Sequence, residues 1–181
     1  MKKWVKTHGL ALWFLAIIGL AIFLPILPDL EHRIIGDLAA QNAKDAYQNV
    51  WKFWWAKKNC LGFCGNMWQT DFQFYPFGTS LLFETWAYPS LFIFAPLMFL
   101  GIGAVTAYNL GLIFAILASL LGAYFLIFYL TKSQLASTLG ATLYGISPFV
   151  IGHMMDGQLN LVNVQYSPLF LLNRDSESGF R

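Results

Sequence analysis

Between Thr85 and Asn173 only two residues, Lys132 and Asp156, carry a formal charge. A stretch this long and this poor in charge cannot give each of its elements a water-facing side. Its expected form is a set of apolar helices with lipid as part of their solvent, because helices satisfy their own backbone hydrogen bonds. Composition agrees: the 181 residues are 57% hydrophobic, 18% aromatic and 11% charged, outside the range of soluble domains. The other charges are grouped. Lys2, Lys3 and Lys6 precede the first apolar run, and most of the rest lie between Asp29 and Glu84. Nothing forms the clustered basic stripe of a nucleic-acid binder. The expected fold is all-α, a polytopic transmembrane helical bundle.

Residues 10–27 form the first apolar segment, long enough to cross a hydrocarbon core of roughly 30 Å, and Pro25-x-x-Pro28 closes it. An uncleaved anchor is favoured over a signal peptide, because Leu27-Pro28-Asp29-Leu30-Glu31 offers no small-residue cleavage site. The preceding lysines place the N-terminus in the cytoplasm. Residues 28–84 then form a long external loop. Residues 85–108 are apolar but broken by Pro89, Pro96, Gly101 and Gly103. Transmembrane segments are expected at 109–131, 135–152 and 159–173. Ala115-x3-Ser119-x3-Ala123 and Ala136-x3-Gly140 put small residues at helical spacing, where helices approach closely. If 85–108 crosses fully, His153 and Asp156 face the cytoplasm. If it dips in and returns, or lies on the surface, Lys132 and Arg174 both fall inside and His153 and Asp156 face outward. The positive-inside rule favours the second arrangement. The polar end after Asn173 reads as the edge of an N-terminal module of a longer, truncated protein.

Within the loop, residues 38–58 are expected to form an interfacial amphipathic helix. Tyr47, Trp51, Trp54 and Trp55 fall on one helical face, and Lys44, Lys52, Lys57 and Lys58 can reach headgroups. A belt helix explains the tryptophans and leaves Asp45 unexplained. Asp45 can take a proton from an incoming hydroxyl or help to hold a metal. It can equally stabilise a helix N-terminus or offset Lys44. Asp37 reads as a turn or N-cap residue. Asp71 is a second acid or a turn residue. Glu84 lies at the edge of an apolar run, where an unpaired carboxylate is expensive, so a partner is expected. His153 and Asp156 are three residues apart, on one face if helical. Such a pair can bind phosphate, contribute to a metal site or cap the helix. Cys60 and Cys64 are expected to close a small extracytoplasmic disulfide loop without a catalytic role. The chain has no glycine-rich phosphate loop, nucleophile elbow or H-E-x-x-H, and no paired broken helices of a transporter.

Several of these residues recur in a known order. Asp45-x-Tyr-Gln-Asn-x-Trp-x-x-Trp-Trp, Tyr75-Pro-Phe-Gly-x-Ser-Leu, Ala107-Tyr-Asn-Leu and Ser147-Pro-Phe followed by Gly152-His run collinearly through the chain. Together they resemble the N-terminal part of polytopic GT-C membrane glycosyltransferases of bacteria and archaea. The resemblance implies an integral protein of the prokaryotic cell (inner) membrane. Such an enzyme moves a sugar from a polyprenyl-phosphate carrier to a glycan, lipid or protein acceptor on the outer face. It implies Asp45 as the catalytic acid of the first external loop, His153 with Asp156 facing the lipid-linked phosphate, and a divalent metal (Mg or Mn) as an optional cofactor. Asp71, Glu84, Tyr47, Trp51, Trp54 and Trp55 would then contact substrate or anchor the loop among membrane lipids. The alternative is a non-catalytic membrane subunit, a lipid-linked-sugar carrier or an inactive fragment. The Cys60–Cys64 pair is not part of the family pattern.

Overall fold

The computed structural model describes residues 2–36 and 44–178. Helix dominates: α1 Lys2–Ala21, α2 Lys44–Lys58, α3 Tyr88–Phe94, α4 Ala104–Thr131, α5 Gln134–Gly145, α6 Pro148–Met155, α7 Leu159–Val162 and α8 Tyr166–Ser178. One two-stranded antiparallel hairpin, absent from the expected all-α fold, pairs β1 (Gln69–Thr70) with β2 (Thr79–Ser80). The chain divides into two compact units. The first is Met1–Pro28, Leu112–Met154 and Leu161–Arg181, and the second is Asp29–Gly111 with Met155–Asn160.

In the first unit, glycines set how closely the helices approach. A Cβ on Gly19 of α1 would lie 2.8 Å from Leu117 and Leu120 of α4. On α5, a Cβ on Gly140 would meet Ile127, and one on Gly145 would meet Leu120, at 2.5–2.7 Å. Ala115, Ser119 and Ala123 of α4 are all buried. Small residues at the contacts let apolar helices gain dispersion contacts that larger side chains would block. Hydroxyls on α5 are satisfied within the helix: Ser137 donates to the Ser133 carbonyl at 2.6 Å and Thr142 to that of Thr138 at 2.8 Å.

Among the described residues, two helical segments, Ala104–Thr131 and Gln134–Met155, are long and apolar enough to cross a membrane. The second contains a break at Ile146–Ser147, because Pro148 lacks an N–H and disfavours helical geometry in the residue before it. Other segments end short of the sequence expectation. α1 stops at Ala21, and residues 22–26 continue as turns around Pro25 into the 3-10 helix Leu27–Asp29. The run 159–173 is two helices, α7 and α8, parted at residues 163–165. The apolar run after Thr85 forms the seven residues of α3 and the six-residue 3-10 helix Ala95–Leu100, ended by Gly101 at φ 102°. Together these rise roughly 20 Å, less than a hydrocarbon core of about 30 Å.

The second unit is organised differently. α2 packs on the 3-10 helix Ala95–Leu100, and Phe53, Trp55, Met67, Leu81, Trp86, Leu91 and Met98 are buried. Polar side chains then tie loops to helices. Asn109 accepts from the Ile35 amide at 3.0 Å and donates to the carbonyls of Leu30 (2.9 Å) and Arg33 (2.7 Å). The indole N–H groups of Trp55 and Trp86 donate to the carbonyls of Met67 and Leu81, each at 3.0 Å. Irregular backbone inside an apolar unit needs such partners for its amides and carbonyls.

Candidate functional site

Asp45 lies in the first turn of α2, where a carboxylate offsets the positive end of the helix dipole. It is half-buried. Its Oδ2 accepts from Nε2 of Gln158 at 2.7 Å, across the loop that joins α6 to α7. Three further features hold that loop in place. The Gly157 carbonyl accepts from Asn49 Nδ2 at 2.9 Å. The Tyr108 hydroxyl lies 3.2 Å from the same oxygen and 3.0 Å from the Ile35 carbonyl, donating to one at a time. Gly157 itself has φ 74°, and a Cβ there would lie 2.6 Å from the Ala46 amide nitrogen. Only glycine allows the loop to sit this close to the helix.

The result is a carboxylate held between a helix N-terminus and a loop distant in sequence. Asp156, next to Gly157 in that loop, is exposed. His153 belongs to the other unit, in the last turn of α6, where its ring stands edge-on to Phe149 at 4.3 Å between centroids. The second unit thus brings Asp45 to the loop that carries Asp156.

The aromatic residues of α2 divide by burial. Trp51 and Trp55 stack at 5.5 Å with planes 7° apart, and Trp54 meets Phe72 edge-on at 5.6 Å. Trp55 is buried, one face covered by Trp51 and its N–H spent on Met67, so it packs the unit and leaves no face for a sugar. Tyr47 and Trp54 are exposed and Trp51 is half-buried. They keep surface that a ring or an isoprenoid can cover.

Glu84 has a partner, and it is a residue the sequence assigned elsewhere. Lys52 Nζ lies 3.1 Å from Glu84 Oε2 and donates to the Thr85 carbonyl at 2.7 Å, with its side chain only 4% exposed. Gln48 donates to the same Glu84 oxygen at 2.7 Å. Lys52 therefore does not reach for headgroups, because an ammonium inside an apolar unit persists only where charge and hydrogen bonds compensate it. Asp71 is exposed at the base of the hairpin, on an open groove of about 570 Å³ lined also by Gln69, Thr70, Phe77 and Thr79. Cys60 and Cys64 are disulfide-bonded.

Asp37 and residues 38–43 of the expected interfacial helix lie outside the described residues. Among the described residues, no three His, Cys, Asp or Glu side chains gather closely enough to hold a metal ion. Sequence reasoning missed Gln158, Asn49 and the role of Lys52. Tyr108 and Asn109 carried a usable signal, as hydrogen-bonding side chains in a nearly charge-free run.

No family model, curated protein or solved structure matches the chain.

Proposed function

We propose that the protein is an integral-membrane glycosyltransferase of the GT-C type, acting at the outer face of a prokaryotic cell membrane with its N-terminus in the cytoplasm. The donor is a sugar on a polyprenyl phosphate, and the acceptor carries a hydroxyl. Membrane placement is supported by α5, whose Leu135, Leu139 and Leu143 lie one turn apart on a single face and are all exposed. Such a stripe is stable against lipid and unfavourable against water.

The observation that carries the catalytic reading is the placement of Asp45, half-buried in the first turn of α2 and oriented by Gln158. In the proposed step the Asp45 carboxylate takes the proton of the acceptor hydroxyl as that oxygen bonds to the anomeric carbon. The bond from the anomeric carbon to the carrier phosphate breaks, and its electron pair leaves with polyprenyl phosphate. Exposed Tyr47 and Trp54 offer ring faces to sugar or isoprenoid.

Two experiments test this. In membranes supplied with labelled polyprenyl-phosphate sugars, Asp45→Asn should lower transfer by about 10²- to 10⁴-fold while carrier binding persists. Undiminished transfer by that variant would remove Asp45 from the mechanism, and binding without turnover by the unaltered protein would favour a carrier of lipid-linked sugar. For orientation, Lys132→Cys and Asp156→Cys, with the native disulfide intact, are probed with an impermeant thiol reagent on whole cells. Labelling at position 156 alone is expected. Labelling at position 132 alone would put Asp156 on the cytoplasmic side and break the outer-face assignment.

A further inference from the structure

The hairpin between α2 and α3 has no counterpart in the proposed chemistry. From Phe72 to Phe83 the chain holds no charged residue, and five of the six residues from Phe72 to Phe77 are aromatic or proline. β1 and β2 pair for two residues each, and Gly78, at φ 69°, closes the turn where a Cβ would lie 2.7 Å from the Thr70 carbonyl oxygen. The tip is therefore fixed by backbone geometry and carries its aromatic side chains outward. Phe74 and Tyr75 are exposed, Phe77 is 95% exposed, and Phe83, just past β2, is 97% exposed. Leaving several large apolar side chains in water forgoes the free energy that burying them would contribute.

Charge at the base of the hairpin bears on what this tip would complement. Lys58, at the end of α2, is exposed and holds its Nζ 3.7 Å from the centre of the Phe72 ring and 5.2 Å from that of Trp54. Lys57 precedes it, and Asp71 is the one carboxylate between Lys57 and Phe83. An apolar aromatic tip rimmed by excess positive charge complements a bilayer leaflet, with hydrocarbon at depth and anionic headgroups above it. The same chain supplies two helical segments long and apolar enough to cross a membrane, one starting at Ala104, so the hairpin is tethered close to a bilayer by a short length of sequence.

We infer that the Phe72–Phe83 hairpin inserts its aromatic tip into the interface of an anionic bilayer, a membrane contact separate from the spanning helices. This goes beyond sugar transfer and does not depend on it. Tyr75 suits that depth because its ring is amphipathic, the phenylalanines bury apolar surface beneath it, and all lose few rotamers on immobilisation.

The test is spin-label depth measurement on the full chain reconstituted into vesicles of phosphatidylcholine with phosphatidylglycerol. Labels are placed singly at Phe77→Cys, Phe83→Cys and, as a reference on α4, Leu121→Cys, with the native disulfide intact. Both hairpin positions are nearly fully exposed, so their substitution leaves the packing untouched. Oxygen is expected to relax the labels at 77 and 83 severalfold more than a water-soluble nickel chelate does. Relaxation by the chelate at 77 and 83, with lipid contact at 121, would overturn the insertion and leave the membrane reading standing. Chelate access at all three positions would overturn both. Spin–spin broadening between copies labelled at 77 would mean that a second chain covers the tip, which also overturns it. Pure phosphatidylcholine or Lys58→Gln should make the label at 77 shallower, and unchanged depth in both would overturn the assignment to an anionic surface.

Discussion

The two units balance local and long-range hydrogen bonds differently. In the unit containing most of α4 with α5 and α6, hydrogen bonding is mostly local: helices satisfy their own amides, and Ser137 and Thr142 return their hydroxyls to carbonyls of the same helix. Long-range ties stand beside these, from the Tyr144 hydroxyl to the Val164 carbonyl and between His8 and the Tyr124 hydroxyl. Contact between helices otherwise rests on small residues and dispersion. In the unit built from Asp29–Gly111 and Met155–Asn160, the backbone is often irregular, and single side chains span long sequence separations to satisfy it. Asn109 reaches residues 30–35, Asn49 and Tyr108 reach Gly157, and Gln158 reaches Asp45. A unit tied in this way has a few residues on which much depends, and it is also the unit that holds a carboxylate in a defined orientation.

The sharpest challenge to that contrast is Gly157→Val. A side chain there needs an unfavourable positive φ and collides with the backbone of Ala46, which cannot swing aside as a side chain would. A loss of about 3 kcal/mol or more is expected. In detergent it should appear as a lowered unfolding midpoint, followed by intrinsic tryptophan fluorescence because the tryptophans from Trp51 to Trp86 all belong to this unit. A midpoint within error of the unaltered protein would mean that the loop does not press on α2. Asn109→Leu comes next. It preserves volume and leaves the buried Ile35 amide and two carbonyls without their side-chain partner, a cost of about 2–3 kcal/mol. Hydrogen exchange should report the loss first at Ile35, and unchanged protection there would show that the amide has another partner.

The same contrast explains what the sequence disclosed. Apolar runs and small-residue spacing are local patterns, and the expected segment 109–131 lies within α4. The expected segment 135–152 is instead two helices, α5 and α6, because Pro148 breaks it at residues 146–147, an interruption that hydropathy does not register. α1 likewise ends at Ala21, short of the Pro25 expected to close it. The ties of the second unit were not legible. Gln158 and Asp45 are 113 residues apart, and no periodicity connects them. Lys52 looked like a headgroup contact because it sits among other lysines on α2, and only the approach of Glu84 and the Thr85 carbonyl reveals it as an interior residue. Glu84, by contrast, announced its need for a partner through the cost of a carboxylate at an apolar edge.

The smallest expected effect probes the other side of the comparison. Ser137 is buried, and its hydroxyl makes one of the shortest hydrogen bonds in α5, so a count of contacts would rank Ser137→Ala among the costly changes. The backbone argues otherwise. The Ser133 carbonyl that accepts from this hydroxyl also receives the Ser137 amide at 3.0 Å, so deleting the hydroxyl leaves no group unsatisfied. Alanine is also the better helix former, because serine competes for its own backbone. The change should stay within about 0.5 kcal/mol, read from the same detergent unfolding midpoint. A loss approaching that of Asn109→Leu would show that the hydroxyl holds α5 to something other than itself. α5 would then depend on a polar tie beyond itself, as the loops of the second unit do, and the difference between the two units would narrow.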